Sequence, residues 1–334
     1  MLERNNGSVM DVYAFKNTII ENSASGAAFP TIIQVLQYQC SLAKLVVYGA
    51  AFCDHFRVKH IRVEKPDDFI KLQGSKYVQS ELGAILKNVQ SDLENGYWVL
   101  FSGTPCQVFA VNNYLKSHGI DTSKLLLVDI ICHGTPKPKI WLDFVDWLEK
   151  EYNSELVDFS FRYQKAKWKN YPVMAEFKNG KRIINDYKVR LFTNLFGSHL
   201  IMRESCYNCK FSNLDRPSDL TIGDFWGIET VMPDFRYRDS VSEILVNTEK
   251  GAKIIDTILE MSKENADIIL MQCHTDEYLK YQHNLNEPTH RPIYTDEFWQ
   301  DYEQNGIEYI LKKYAGNNVI DIIKHSIRRF RAEY

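Results

Sequence analysis

Residues 203–227 read RESCYNCKFSNLDRPSDLTIGDFWG, and the cysteine pair near their start sets the terms for the rest of the chain. Cys206 and Cys209 are separated by two residues and flanked by Arg203 and Lys210. Ser218, Asp219 and a tight Gly223-Asp224-Phe225-Trp226-Gly227 segment follow. A CxxC on a short loop presents two thiolates to one point, which suits a metal or cluster, a redox disulfide, or zinc. It is only half of a four-ligand site, so the other half has to be sought upstream.

Two upstream runs supply it. Residues 97–101 read as a buried strand that empties into Ser102-Gly103-Thr104-Pro105-Cys106-Gln107, and residues 125–131 as a second that ends at Cys132-His133-Gly134. Open α/β sheets bind ligands at the C-terminal ends of their strands, and neighbouring parallel strands bring those ends together. Cys106, Cys132, Cys206 and Cys209 are therefore expected to act as one set of metal-ligating thiolates drawn from three loops. An iron–sulfur cluster needs four soft, deprotonated ligands, and scattered loops supply them well. Structural zinc more often uses two paired knuckles, and here two ligands are unpaired, which favours a cluster over zinc; unliganded thiols are the third option. Cys40, Cys53 and Cys273 read as structural thiols.

The chain has 334 residues, 45% hydrophobic and 25% charged, with a net charge of -3. That is ample for a core and gives no basic field for nucleic acid. Seven cysteines, an odd number, argue against a disulfide framework in a chain whose start, MLERNNGSVMDVYAFKN, lacks a signal-peptide pattern. No apolar run approaches the roughly 18 residues of a membrane span. The expected location is the cytoplasm.

The coarse pattern alternates the two element types. Residues 12–22 and 30–41 are expected to be helical, with Ser23-Ala24-Ser25-Gly26-Ala27-Ala28 between them. Small residues there serve equally as a close approach to an anion or as a plain interhelical turn. Strands are expected over 45–52 and 56–64, and helices over 80–93, 137–151, 189–202 and 251–264. A strand over 156–163 and a hairpin over 173–184, closed by Asn179-Gly180, follow the first half; 242–248 is a last strand, and the tail beyond about 270 reads as helical and polar. The fold class this implies is α/β (α+β), a mixed sheet core flanked by helices with a cluster-binding loop region. Gln73-Gly74-Ser75-Lys76-Tyr77-Val78-Gln79-Ser80 offers backbone N–H groups, hydroxyls and an ammonium to a phosphate, or is simply a capped helix start with an exposed lysine. At the C-terminus, Ile320, Ile323, Ile327 and Phe330 form a helical stripe with Lys324, Arg328, Arg329 and Arg331 off it. It packs on the body, or docks on an acidic partner or an anionic membrane surface.

The runs GSKYVQS, LFSGTPCQ, DIICHG, SCYNCKF and SDLTIGDFWGIE closely resemble the coenzyme F420 hydrogenase/dehydrogenase β-subunit family, in the bacterial branch associated with polysaccharide biosynthesis. The resemblance implies an iron–sulfur flavoprotein oxidoreductase with a 4Fe–4S cluster on Cys106, Cys132, Cys206 and Cys209. It also implies FAD approached by Ser23, Ser25 and Gly26 and by Gly74, Ser75, Lys76, Tyr77 and Ser80, while Ser102, Gly103 and Thr104 at a strand end offer a platform for the flavin ring. Lys76 and His133 are weak catalytic candidates. Ala27 stands where the family usually has glycine. Many members begin with a ferredoxin-like domain; this chain carries no such cysteine repeat, which implies a separate ferredoxin or electron-donating subunit and a small-molecule or glycan-linked acceptor. The expected organisation is a family domain over 8–270, divided at about 150, and a helical extension over 271–334. A non-catalytic scaffold that keeps the fold and a zinc-stabilised glycan enzyme are the alternatives.

Overall fold

The computed structural model describes residues 9–20, 23, 25–40, 44–163 and 172–316. In chain order the described residues form β1 (Asp11–Asn17), α1 (Ala28–Gln39), β2 (Leu45–Phe52), β3 (Val58–Val63), α2 (Ile85–Glu94), β4 (Trp98–Gly103), α3 (Pro105–Ser117), β5 (Leu125–Ile130) and α4 (Pro138–Tyr152). They continue with β6 (Leu156–Ser160), β7 (Met174–Phe177), β8 (Arg182–Ile184), α5 (Tyr187–Gly197), β9 (Leu220–Asp224), α6 (Ile228–Val231), β10 (Ser242–Val246), α7 (Glu249–Glu264), β11 (Ile268–Cys273) and α8 (Thr295–Ile310). Two compact units share them. One takes Met1–Lys76, Ser80–His133 and Asn208–Pro288, the other Tyr77–Gln79, Gly134–Tyr207 and Thr289–Tyr334.

The first unit is built on an eight-stranded sheet in the order β11-β1-β10-β9-β5-β4-β2-β3. The middle strands β2, β4, β5 and β9 pair in parallel, and antiparallel strands close both sides. Parallel strands are covered on both faces, so they read as continuous apolar runs rather than alternating ones. Leu45, Val47, Leu100, Leu126 and Val128 turn to the face packed by Ile32 and Leu36 of α1 and Ile254, Ile255 and Ile258 of α7. Val46, Tyr48, Val99, Phe101, Leu125 and Leu127 turn to the other face, under Val89 of α2 and Val108, Val111 and Leu115 of α3. The mixed sheet flanked by helices is the α/β architecture anticipated from the sequence.

Two expectations are corrected. The expected helix over 12–22 does not begin as one: Asp11–Asn17 forms β1, a strand held between β10 and β11. Val12, Ala14 and Phe15 bury side chains on both of its faces, and a pairing partner on each edge overrides local propensity. The chain after 270 is not helical from its start, because Ile268–Cys273 forms the strand at that edge. Leu220–Asp224, inside the quoted stretch, is also a strand, paired with β5 and β10. The C-terminal stripe from Ile320 to Phe330 and the loop around Trp168 lie outside the described residues.

The second unit has its own sheet, β6-β7-β8, with Gly180 at φ +83° in the turn of the β7–β8 hairpin. Its core is aromatic. Trp141 of α4 is fully buried, with ring centroids of Phe159, Phe161 and Phe192 at 5.0, 5.0 and 4.9 Å. Such contacts add to the burial of large apolar surfaces.

Candidate metal centre

Register decides where the first two cysteines go. β4 and β5 run parallel with Gly103 opposite Asp129, and Cys106 and Cys132 each follow three residues beyond those paired positions. Two adjacent strands thus deliver a cysteine at the same end of the sheet. Cys106 is exposed in the first turn of α3, where Thr104 is the N-cap, Pro105 takes the first helical position and Gln107 completes a capping box. Unpaired N–H groups at a helix start favour negative charge, which suits a thiolate. The Thr104 hydroxyl lies 3.2 Å from the Cys106 sulfur. Cys132 is half-buried, and its carbonyl accepts from Asn284 Nδ2 at 3.2 Å.

The loop that carries Cys209 is tied to the end of β5 and to α3. Phe211, two residues on, meets Phe109 of α3 with ring centroids 5.2 Å apart. Arg216 is the staple. Its Nη2 donates to Asp129 Oδ2 at 2.9 Å and to the Ile130 carbonyl at 3.2 Å. Its Nη1 donates to the Phe211 and Asn213 carbonyls, and its Nε to Thr221 Oγ1. The Arg216–Asp129 pair is buried, at 1% and 0% side-chain exposure. Asp219 fixes the far end of the loop by accepting from the Leu127 amide and the Thr248 hydroxyl.

Cys206 falls in the second unit, at the end of the short turn Glu204–Cys206. Gly134 faces it closely: at φ +113°, a Cβ there would stand 3.4 Å from Cys206 Cβ and 3.1 Å from Met202 Sδ. The Thr135 hydroxyl is 3.9 Å from the Cys206 sulfur, and the Arg203 amide donates to the Thr135 carbonyl. None of the seven cysteines is in a disulfide. Cys40 is buried at the end of α1 with its thiol donating to the Leu36 carbonyl, Cys273 is buried at the end of β11 with its thiol on the Thr275 carbonyl, and Cys53 follows β2. Cys106, Cys132 and Cys209 of the first unit and Cys206 of the second are soft donors of the kind a cluster takes, and Cys106 and Cys206 each have a hydroxyl beside the sulfur.

The residues assigned to a flavin have different surroundings. Ser80 and Ser102 belong to a buried polar chain that the sequence did not reveal, because it turns on His60. His60 Nε2 donates to the Ser102 carbonyl at 2.9 Å, so Nδ1 accepts from Ser80 Oγ at 2.8 Å, and Ser80 Oγ accepts in turn from Gln107 Nε2 at 2.9 Å. Gln107 Oε1 accepts from the Thr104 amide and hydroxyl, both at 3.0 Å. Burial lowers His60 to about 4, which keeps it neutral in this network. Gly103 is hemmed in by Gln107 and His60, at 3.1 and 3.2 Å from where a Cβ would be. Gly26 is more crowded still, since the Phe15 carbonyl oxygen occupies the space a Cβ would need, and Ser25 donates to the Val241 carbonyl. Ala27 caps α1 at φ +68°, and Ser23 is half-buried.

Tyr77 stacks on Phe196 at 4.5 Å within the second unit. Lys76 Nζ donates to the Lys71 and Gln73 carbonyls at 3.1 and 2.7 Å, which caps the turn Pro66–Leu72. Loss of solvent lowers the Lys76 ammonium to about 7. Gly74, at φ +79° with nothing close to it, and half-buried Ser75 beside it are the parts of this group not engaged in the contacts above. His133, the other catalytic candidate, is exposed beside Cys132.

A mixed α/β sheet whose neighbouring parallel strands each lead to a cysteine defines a cysteine-bearing α/β protein. Residues 96–271, just over half of the chain, match the family described as the C terminus of the coenzyme F420 hydrogenase/dehydrogenase beta subunit, and the chain belongs to that family. It is the family of a redox subunit, as the sequence motifs suggested. Among solved structures, the chain is similar to one in the F420-reducing nickel–iron hydrogenase complex from Methanosarcina barkeri. The TM-score is 0.52 at 14% identity, over 94% of each chain, a likeness of fold. A search of curated proteins finds no match.

Proposed function

We propose that the chain is an oxidoreductase subunit that carries electrons through a 4Fe–4S cluster held by Cys106, Cys132, Cys206 and Cys209. The observation that carries this reading is the parallel β4–β5 register, which sets Cys106 and Cys132 three residues past paired positions, with the Cys209 loop held to the end of β5 by Arg216 and against α3 by Phe211. Cys206 follows from the chain itself, three residues before Cys209. A cluster bound by these thiolates would take up and pass on electrons singly. The chain's own groups would set its environment. The Thr104 and Thr135 hydroxyls lie where they can donate to the Cys106 and Cys206 sulfurs, and Arg216 keeps the ligand loop against β5. Hydrogen bonds to cluster sulfurs and solvent exposure tune the potential.

FAD is the second cofactor of this reading, supported by the family resemblance. The residues assigned to it are mostly engaged inside the fold. The electron donor would be a separate ferredoxin or partner subunit, and the acceptor a small molecule or a glycan-linked one, as in the polysaccharide-associated branch. The test is iron retention after anaerobic purification. Cys106→Ala, Cys132→Ala, Cys206→Ala and Cys209→Ala are each expected to lose most bound iron, and Cys273→Ala none. Equal iron in all five would overturn the ligand assignment. FAD titration of the iron-loaded protein, followed by fluorescence quenching, tests the second cofactor separately.

A further inference from the structure

Glu243 is a buried acid that the proposed electron path does not use. It lies in β10 with no exposed surface, between its cross-strand partners Ala14 of β1 and Gly223 of β9. Its neighbour two residues on, Leu245, shares an apolar layer with Phe225, Ile228, Phe235, Tyr278 and Leu285, which cover this face of the sheet. Glu243 Oε2 accepts from Gln282 Nε2, and Oε1 has no hydrogen-bond partner among the described residues. Burial pushes its carboxyl well above the ordinary carboxylate range, and the Gln282 bond opposes that shift.

The titratable groups on the surrounding elements include Asp11, Tyr13 and Lys16 on β1, Asp224 on β9, Cys273 on β11, Glu229 on α6, and Tyr237, Asp276, Glu277, Tyr278, Lys280, Tyr281 and His283 in the covering segments. Lys280 pairs with Glu277, and Lys16 is spent on the Asp239 and Ser240 carbonyls and stands over the Tyr237 ring. Burial raises the Cys273 thiol, and Glu243 and Asp276 raise it further.

Gln282 connects the acid to the cover. It is buried, and the same Nε2 donates to the Asp224 carbonyl at 2.7 Å, the strand end from which the Phe225-Trp226-Gly227 segment leaves. The Tyr281 ring presses on Gly227 and fills the space a Cβ would need. Two residues beyond Gln282, Asn284 holds the Cys132 carbonyl. An ionised carboxylate at Glu243 would be a buried charge with no counter-ion among the described residues, and water would have to reach it. β10 is hydrogen-bonded on both edges, whereas the cover runs through the short turns Asp276–Lys280 and His283–Leu285. The cover is the part that opens at least cost.

We propose that Glu243 and Gln282 form a proton-controlled latch. With Glu243 protonated, the turns over 276–285 close on β10. When the proton passes to solvent the turns release, together with the hold of Asn284 on Cys132. This inference does not depend on the identity of the metal centre.

The test is hydrogen–deuterium exchange of the full chain, purified without oxygen, between pH 6 and 10, with rates corrected for intrinsic exchange. Amides over 278–286 are expected to lose protection by up to about ten-fold per pH unit as pH rises, levelling off once Glu243 ionises in the closed form, while β10 stays protected. Glu243→Gln should hold the turns protected across the range. Gln282→Leu should leave them open already at pH 6, which keeps the test available if the first variant does not fold. Wild-type protection that is flat with pH, a loss shared equally by Glu243→Gln, or Gln282→Leu as protected as wild type at pH 6 would each overturn the latch.

Discussion

Arg216 shows how much of the centre rests on one side chain. Its guanidinium makes five hydrogen bonds, to Asp129, Thr221 and three backbone carbonyls, all inside the fold. A planar fork with five donors can do this; a lysine cannot. Removing it would leave Asp129 as a buried charge whose Oδ1 already lacks a partner among the described residues. Breaking a buried pair from one side costs on the order of 3–5 kcal/mol. Arg216→Met is therefore expected to lower the denaturation midpoint strongly and to lose iron. Asp129→Asn with Arg216→Met should recover part of the stability without restoring iron. Chemical denaturation of the single and double variants, with iron assayed alongside, checks both outcomes. Stability unchanged in Arg216→Met would remove the staple from the account.

At the scale of elements, His60 on β3 links the chain at Ser80 with the end of β4 and the start of α3, through Ser102 and Gln107. Its pKa is lowered from 6.5 to about 4, so between those values the unfolded chain binds the extra proton. Stability then rises with pH through that window, is fully present above about 6.5, and is lost as pH falls toward 4. The size is on the order of 3 kcal/mol, at about 1.4 kcal/mol per pH unit. Urea midpoints measured from pH 4 to 7 should show this slope, and His60→Asn should flatten it. An equal slope in the variant would assign the acid sensitivity elsewhere. The sequence showed the elements this network joins but not the network. LFSGTPCQ announces a strand, a cap and a helix, whereas His60 in FRVKHIRVE looks like one more polar position on an alternating strand. β1 was hidden for a related reason. VYAFKN suits a helix as well as a strand, and what decides is hydrogen bonding to β10 and β11, more than two hundred residues away. The strand Leu220–Asp224 was masked by the glycine and aromatic residues that follow it.

For the whole molecule, what was legible was the chemistry that recurs in order along the chain. Apolar runs ending in Cys106 and Cys132 required parallel strands side by side, and the register of β4 with β5 bears that out. The unit division was not legible, because each unit is assembled from separated segments of sequence. The central claim is that the four cysteines bind a 4Fe–4S cluster, and the most direct measurement is Mössbauer spectroscopy on iron-57 protein purified without oxygen, with iron, sulfide and zinc quantified on the same sample. The account predicts about four iron and four sulfide per chain, the quadrupole doublet of a cubane cluster, and its disappearance in Cys106→Ala. Stoichiometric zinc with no sulfide, or a cluster that survives substitution of Cys106, would contradict it.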